Sequence, residues 1–134
     1  MKHARRAVTM LELLAATVIA AALLTAVAQV AVLSAAQHVA AERRLLAMSE
    51  AQQIVELVSA MPFAEITADA LRQIKLPPAA VKALPQAALA IDVVEEVGPP
   101  RAKRIRVEIN WETQPGVPAR PVRLTTWRFA GGES

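Results

Sequence analysis

An uncharged stretch, residues 13–41, constrains this chain more than any other feature of its sequence. Roughly 20 predominantly apolar residues in a helix suffice to cross the hydrocarbon core of a bilayer. No glycine or proline lies between Val8 and Met61, and Pro62 disfavours helical geometry at the residue before it. We therefore predict one continuous helix over residues 8–61, with a membrane-spanning part at about residues 13–33.

Three basic residues, Lys2, Arg5 and Arg6, precede this stretch and account for the whole formal charge of +3. The rest of the chain carries equal numbers of basic and acidic residues. We therefore expect a solvated surface of both signs and no direct nucleic-acid binding. Basic residues before a membrane segment favour a cytoplasmic N-terminus. The pattern thus predicts a single-pass membrane protein whose larger part lies outside the cytoplasm.

Glu12 is the last charged residue before the uncharged stretch. An ionised carboxylate at the mouth of a membrane helix is costly, and such a residue is a functional hypothesis by default. If the chain is cut after Ala7, the new amino group of Val8 lies about one helical turn from Glu12. The same group on a neighbouring copy could also reach it. Val8 is therefore a candidate partner for Glu12.

Two plainer interpretations of the N-terminus stay open. A secretory signal peptide has a shorter apolar region followed by a small-residue cleavage site, and it leaves Glu12 without a role. A plain single-span anchor explains the length of the stretch. It makes Glu12 only a tolerated charge at the cytoplasmic interface.

Helical periodicity continues beyond the membrane-spanning part. Apolar residues at three- or four-residue steps predict a buried helix face made of Val39, Leu46, Ile54, Leu57, Val58 and Met61. After Pro62, Thr67 is expected to cap a short helix that ends at Ile74, and a second helical turn is expected at residues 79–84. An irregular loop is the alternative for this connector.

Strand patterning begins after Pro85. Residues 89–93, 104–112 and 122–129 alternate between two faces, and segments 98–100 and 114–118 contain the glycine and proline typical of turns. The middle run is the clearest, with an apolar face made of Ile105, Val107, Ile109 and Trp111. Three strands with short connections favour an antiparallel sheet, which is marginal unless it packs on another element. The predicted fold class is therefore α+β: a long N-terminal helix, membrane-spanning in its first half, packed on a small three-stranded antiparallel sheet within residues 62–134.

No catalytic, metal-binding or cofactor-binding set is predicted. The chain has no cysteine, and His3 and His38 lack a third residue that would complete a metal site. Neighbouring carboxylates such as Glu95 and Glu96 point to opposite faces of a strand, so they do not form a dyad. Trp127 and Phe129 share one face of the last strand, and we expect them to pack in the core. A partner surface is the alternative for these two residues.

The N-terminal sequence resembles the class III signal of type IV prepilins and of the pseudopilins of type II secretion. That family has a short basic leader, a small residue before the cut, and then Thr or Ser second and Glu fifth in the mature chain. Counted from a cut after Ala7, Thr9 is second and Glu12 is fifth. Ala7 stands where the family usually has glycine, and Val8 stands where an aromatic residue or methionine is usual.

The later layout resembles the minor pseudopilin I type of type II secretion and the similar minor type IV pilin V type. The likeness rests on the alternating strand that ends at Trp111 and on residues 49–63 at the end of the helix. The long helix laid against a small antiparallel sheet is also the fold of that family.

This resemblance implies that a prepilin peptidase removes the leader, residues 1–7, between Ala7 and Val8, and that Val8 is N-methylated. It assigns Thr9 and Glu12 to subunit register and assembly. It implies an inner-membrane protein with a cytoplasmic N-terminus and a periplasmic C-terminal domain. The implied partners are other pseudopilins or pilins, the inner-membrane assembly platform and membrane lipid.

The expected function is that of a minor pseudopilin, which primes or caps a periplasmic pseudopilus and is not an enzyme. A minor type IV pilin that serves adhesion, motility or DNA uptake is the first alternative. A single-span anchored binding module without an assembly role is the second.

Overall fold

The computed structural model describes the backbone of residues 2–131 and the side chains of residues 9–131. The chain forms two compact units, Met1–Val39 and Ala40–Ser134, so the boundary between them falls inside the first helix. Helix α1 spans Lys2–Ser59. It ends just before the predicted limit at Met61, whose amide donates to the Val58 carbonyl at 3.2 Å in a tightened last turn. Pro62 has no N–H to continue the ladder.

Among its described residues, the second unit contains two further α-helices, a short 3-10 helix at Phe63–Glu65 and five strands. The α-helices are α2 (Ala68–Arg72) and α3 (Pro78–Ala83). The strands are β1 (Ala88–Glu96), β2 (Ala102–Asn110), β3 (Glu112–Gln114), β4 (Val117–Pro118) and β5 (Val122–Phe129). Strands β1, β2 and β5 form an antiparallel sheet with β2 in the centre. The predicted α+β class, a long helix packed on a three-stranded antiparallel sheet, is confirmed.

The inner face of the sheet carries the core of the second unit. Ile105, Val107 and Ile109 of β2 are fully buried, which confirms the alternation read from the sequence. Across the sheet, Val93 of β1 and Thr126 of β5 lie opposite Ile105. Burial of each large aliphatic side chain contributes about 1.5–3 kcal/mol. The central strand therefore supplies much of the stability of this unit.

The buried face of α1 differs from the predicted one. Its buried residues are Ala47, Ala51, Ile54 and Val58, which recur at helical spacing. Leu57 and Val39, assigned to the buried face from the sequence, are exposed. Both alanines belong to the same buried cluster as Ile105, Val107 and Ile109 of β2.

The connector between α1 and the sheet follows the predicted course. Thr67 caps α2, since its hydroxyl accepts a hydrogen bond from the Ala70 amide at 3.3 Å. This helix ends at Arg72 and not at Ile74. Helix α3 begins at Pro78, a favoured first helical position. Leu71 and Leu84 anchor these short helices in the core.

A small hairpin that the sequence did not reveal follows β2. Strands β3 and β4 pair across residues 115–116, where Gly116 has φ +78°, a conformation that favours glycine. Trp111 therefore lies just beyond β2, although it was predicted within that strand. It is buried, and its carbonyl accepts a hydrogen bond from the Ala119 amide at 2.9 Å.

The prediction that Trp127 and Phe129 pack in the core is wrong. Their side chains are 48% and 52% exposed. The register places Trp127 opposite Arg104 and Phe129 opposite Ala102, on the outer face of the sheet. Only one face of this single-layer sheet meets α1, and Val122 and Leu124 occupy it on β5. Both aromatic residues lie on the surface, as the alternative of a partner surface requires.

Lys103 is buried on the inner face, at one end of the core. Its ammonium group donates to the Phe63 carbonyl at 2.7 Å and to the Ile66 carbonyl at 2.8 Å. It also lies 4.6 Å from the centroid of the Phe63 ring. One cation thus holds the connector against β2 and satisfies two carbonyls that the short helices leave without partners.

We expect Lys103→Met to destabilise the protein by about 1–3 kcal/mol, because two carbonyls lose their donor. The measurement is thermal and urea unfolding of the full chain in detergent micelles. Lys82→Met is the matched control, since Lys82 is exposed on α3. Equal stability of the two variants would show that Lys103 does not hold the connector.

Candidate functional site

The N-terminal apolar helix, residues 9–39 of α1, exposes its side chains all round. Leu13, Val18, Leu24 and Val32 are between 65% and 71% exposed, and the other large apolar residues here are similar. A helix that is apolar on every side needs an apolar environment. No described residue of the chain supplies that environment, so lipid or another protein must.

The structure contains one helix, Thr9–Ser59, that is long and apolar enough to cross a membrane, among the residues searched. None of its most apolar window is buried within the chain. That exposure distinguishes it from the core helix of a soluble domain. A single N-terminal membrane segment is therefore supported by the length and composition of this helix.

The polar side chains near the middle of this helix are internally satisfied. The Thr17 hydroxyl donates to the Leu14 carbonyl at 2.8 Å, and the Thr25 hydroxyl donates to the Ala21 carbonyl at 2.9 Å. Each bond follows the helical spacing at which a threonine can return its hydroxyl to the backbone. Both residues can therefore lie in lipid without an unsatisfied donor.

Glu12 differs from these threonines because no described residue forms a hydrogen bond or an ion pair with it. Its side chain projects from the first turns of the N-terminal apolar helix. Val8 precedes Glu12 by four residues in the same helix, which is about one helical turn. The side chains of Ala7 and Val8 lie outside the described part, and the exposed side chain of Thr9 begins it.

Small residues accompany Glu12 along the helix. Ala15, Ala22 and Ala26 recur at seven- and four-residue steps, so they share a face. They are exposed, as are Ala16, Ala20 and Ala21. Alanine lets helix backbones approach closely in lipid, and it is also the strongest helix former.

The outer face of the sheet in the second unit is charged. Arg123 of β5 makes a two-pronged contact with Glu108 of β2, at 2.6 and 3.4 Å. Its side-chain hydrogen bond holds the pKa of Glu108 below the ordinary value. A hydrogen bond from Arg101 likewise lowers the pKa of Glu95, and Arg104 lies 3.9 Å from Glu96.

Several further arginines of this unit form no ion pair with an acidic side chain among residues 9–131. Among them are Arg44 of α1, Arg120 before β5 and Arg128 within β5. Arg128 reaches the Met61 carbonyl only at 3.5 Å, and its Nε atom is buried without a hydrogen-bond partner. Sequence reasoning did not single out these residues. The available signal was the absence of any acidic residue between positions 113 and 132.

Within the part of the chain that the structure describes, no group of three histidine, cysteine, aspartate or glutamate side chains could hold a metal ion. His38 lies on α1, and Glu95 and Glu96 both lie on β1.

Comparisons with protein-family models, with curated proteins and with solved structures found no match.

The Glu108–Arg123 pair predicts an acid-dependent component of stability. A lowered folded-state pKa means that this component is fully present above the ordinary glutamate value, about pH 4.5, and is lost as pH falls through the lowered value. We expect Glu108→Gln to lose less stability than wild type upon acidification below about pH 4.5. Thermal unfolding across pH measures this difference. Glu56→Gln is the control, and an identical pH profile for wild type and Glu108→Gln would contradict the assignment.

Proposed function

We propose that this chain is a membrane-anchored, pilin-like subunit that assembles with related subunits through its N-terminal apolar helix. Within that class, we assign it to the minor pseudopilins of type II secretion. The observation that carries the proposal is Glu12, a carboxylate without a described partner on an exposed, otherwise apolar helix. A charge at this position has no role in a helix that only anchors a protein. In a helix that assembles, the charge can pair with a group on a neighbouring subunit.

The first step of the proposed pathway is processing. A prepilin peptidase cuts between Ala7 and Val8 and removes the basic leader. The cut creates an amino group on Val8, four residues before Glu12. The small side chain of Ala7 suits a peptidase subsite that tolerates little bulk. Thr9, second in the mature chain, completes the family pattern.

The second step sets the register between subunits. The Glu12 carboxylate and the Val8 amino group of a neighbour are each costly alone in apolar surroundings. Together they neutralise one another, and they do so at only one axial offset between two parallel helices. Breaking such a pair leaves an uncompensated charge, at a cost of about 3–5 kcal/mol for a buried pair. Glu12 is thus proposed to select one register between subunits, more than to increase the affinity between them.

The third step is packing. Alanines such as Ala15, Ala22 and Ala26 allow close helix approach, and the surrounding leucine and valine side chains supply contact area. The second unit would then lie in the periplasm, at the priming or capping end of a pseudopilus. The basic leader favours this orientation through the charge bias of membrane insertion.

The processing step predicts a defined N-terminus. We expect mass analysis of the protein from its native membrane to show a chain that begins at Val8, with one added methyl group. In cells without the peptidase, the same analysis should recover the uncut chain. Recovery of a chain beginning at Met1 in the presence of the peptidase would contradict the prepilin assignment. A cut farther along the chain, beyond about residue 20, would instead indicate an ordinary signal peptide.

The register step predicts a separation between processing and assembly. We expect Glu12→Gln and Glu12→Ala to be cut after Ala7 at the wild-type rate but to enter assemblies at roughly a tenth of the wild-type level or less, since the pair is lost. Crosslinking of subunits in intact membranes measures incorporation. Glu56→Gln, an exposed change farther along α1, is the matched control.

Two results would redirect this proposal. Wild-type incorporation of both Glu12 variants would exclude the pairing role and leave a plain anchored module. Crosslinks to pilus subunits, in place of secretion subunits, would assign the chain to the minor type IV pilins, which share the same local chemistry.

A further inference from the structure

Strand β5 forms one edge of the three-stranded sheet. One side of the strand is hydrogen-bonded to β2. Among residues 2–131 no other strand, side chain or loop is hydrogen-bonded to its opposite side, which we name the β5 edge. No proline or bulge interrupts the strand between Val122 and Phe129. Proteins usually protect an edge of this length, because its free N–H and carbonyl groups accept another strand.

The register shows which residues offer these groups. The Ala130 amide donates to the Arg101 carbonyl at 2.9 Å, and this pair continues the register of β2 and β5. In an antiparallel ladder, hydrogen-bonded and non-hydrogen-bonded pairs alternate. The backbone groups of Arg123, Thr125, Trp127 and Phe129 therefore point away from β2, toward the β5 edge. Trp127 and Phe129 are the two half-exposed aromatic residues of the outer face.

A cleft lies at each end of the β5 edge. The first, of about 440 Å³, runs between α1 and the start of β5 and is lined by Arg44, Met48 and residues 120–124. The second, of about 400 Å³, is lined by residues 62–64 and 128–131. Each cleft contains arginine without an acidic partner: Arg44 and Arg120 in the first, Arg128 in the second. The strand between them is about 27 Å long at roughly 3.4 Å per residue.

We propose that the β5 edge binds an extended, acidic segment of a second protein, which adds a fourth strand to the sheet. Backbone hydrogen bonds to the free groups of β5 hold the segment in line. Carboxylates near its two ends reach Arg120 and Arg44 in one cleft and Arg128 in the other. Apolar side chains of the segment pack beside Trp127 and Phe129 as cross-strand neighbours.

The charges favour a different protein over a second copy of this chain. Two β5 edges brought together would combine two strands that carry arginine and no acidic residue, so neither copy could neutralise the other. The acidic strand of the chain itself, β1, already uses Glu95 with Arg101 and Glu96 with Arg104. Helix α2 also lies against β1. An external acidic segment meets neither obstacle.

The test uses the full chain in detergent micelles and fluorescent peptides of about eight residues, the length of the strand. The acidic probe alternates valine and threonine and has glutamate at both ends. The basic probe has lysine in place of glutamate. Fluorescence anisotropy should show binding of the acidic probe, weakening as salt rises, and no saturable binding of the basic probe.

Thr125→Pro separates backbone pairing from charge. It removes an N–H that faces the β5 edge and leaves the ladder to β2 intact, as proline is tolerated on edge strands. We expect it to weaken binding of the acidic probe about tenfold or more, since several hydrogen bonds are blocked. Thr125→Val, which keeps the N–H, should bind as wild type does. Arg120→Glu should also weaken binding, whereas Lys82→Glu should not.

Three outcomes would overturn the proposal. The first is that a folded Thr125→Pro chain, with an unfolding transition like that of wild type, binds the acidic probe as tightly as wild type does. The second is equal binding of an acidic probe whose backbone amides are methylated, a test on the wild-type chain that holds even if Thr125→Pro fails to fold. The third is that copies of the chain pair through their β5 strands as concentration rises, and that this pairing prevents binding of the acidic probe. None of these results bears on cleavage after Ala7 or on Glu12.

Discussion

The structure depends on where a single helix buries its apolar surface. Helix α1 carries apolar side chains along nearly its whole length, but the buried core residues of the described chain begin at Ala47. From that point onward the helix covers the inner face of a sheet too small to be stable alone. The described side chains before Arg43 are all exposed. One element therefore serves as the support of a folded unit and as a surface that requires a different environment.

Helix α1 and the sheet share one apolar core. Ala47, Ala51, Ile54 and Val58 of the helix lie in the same buried cluster as Ile105, Val107 and Ile109 of β2. Lys103 lies at one end of this core, where its two hydrogen bonds hold the connector against β2. A shared apolar core and one buried cation thus hold the sheet and the connector in place.

The sequence alone was enough to predict the features that a regular local pattern encodes. The long helix, the Thr67 cap and the alternation of Ile105, Val107 and Ile109 each reflect one local rule, and the structure shows all three. Features that rest on tertiary contact were not accessible. In an alanine-rich helix, nothing in the pattern distinguishes the buried Ala47 and Ala51 from the exposed Ala15 and Ala22. Trp127 was misplaced because hydrophobicity does not reveal that only one face of the sheet is covered.

The β3–β4 hairpin has a practical consequence. Its tip, Pro115 and Gly116, is exposed and contributes no side chain to the core, and Gly116 has no atom within 4 Å of where a side chain would begin. Exposed loop tips of this kind are the places where chains accept insertions. An epitope or a fluorophore-binding sequence placed there would report the location of the intact subunit in living cells, with both the N-terminal helix and strand β5 left unaltered.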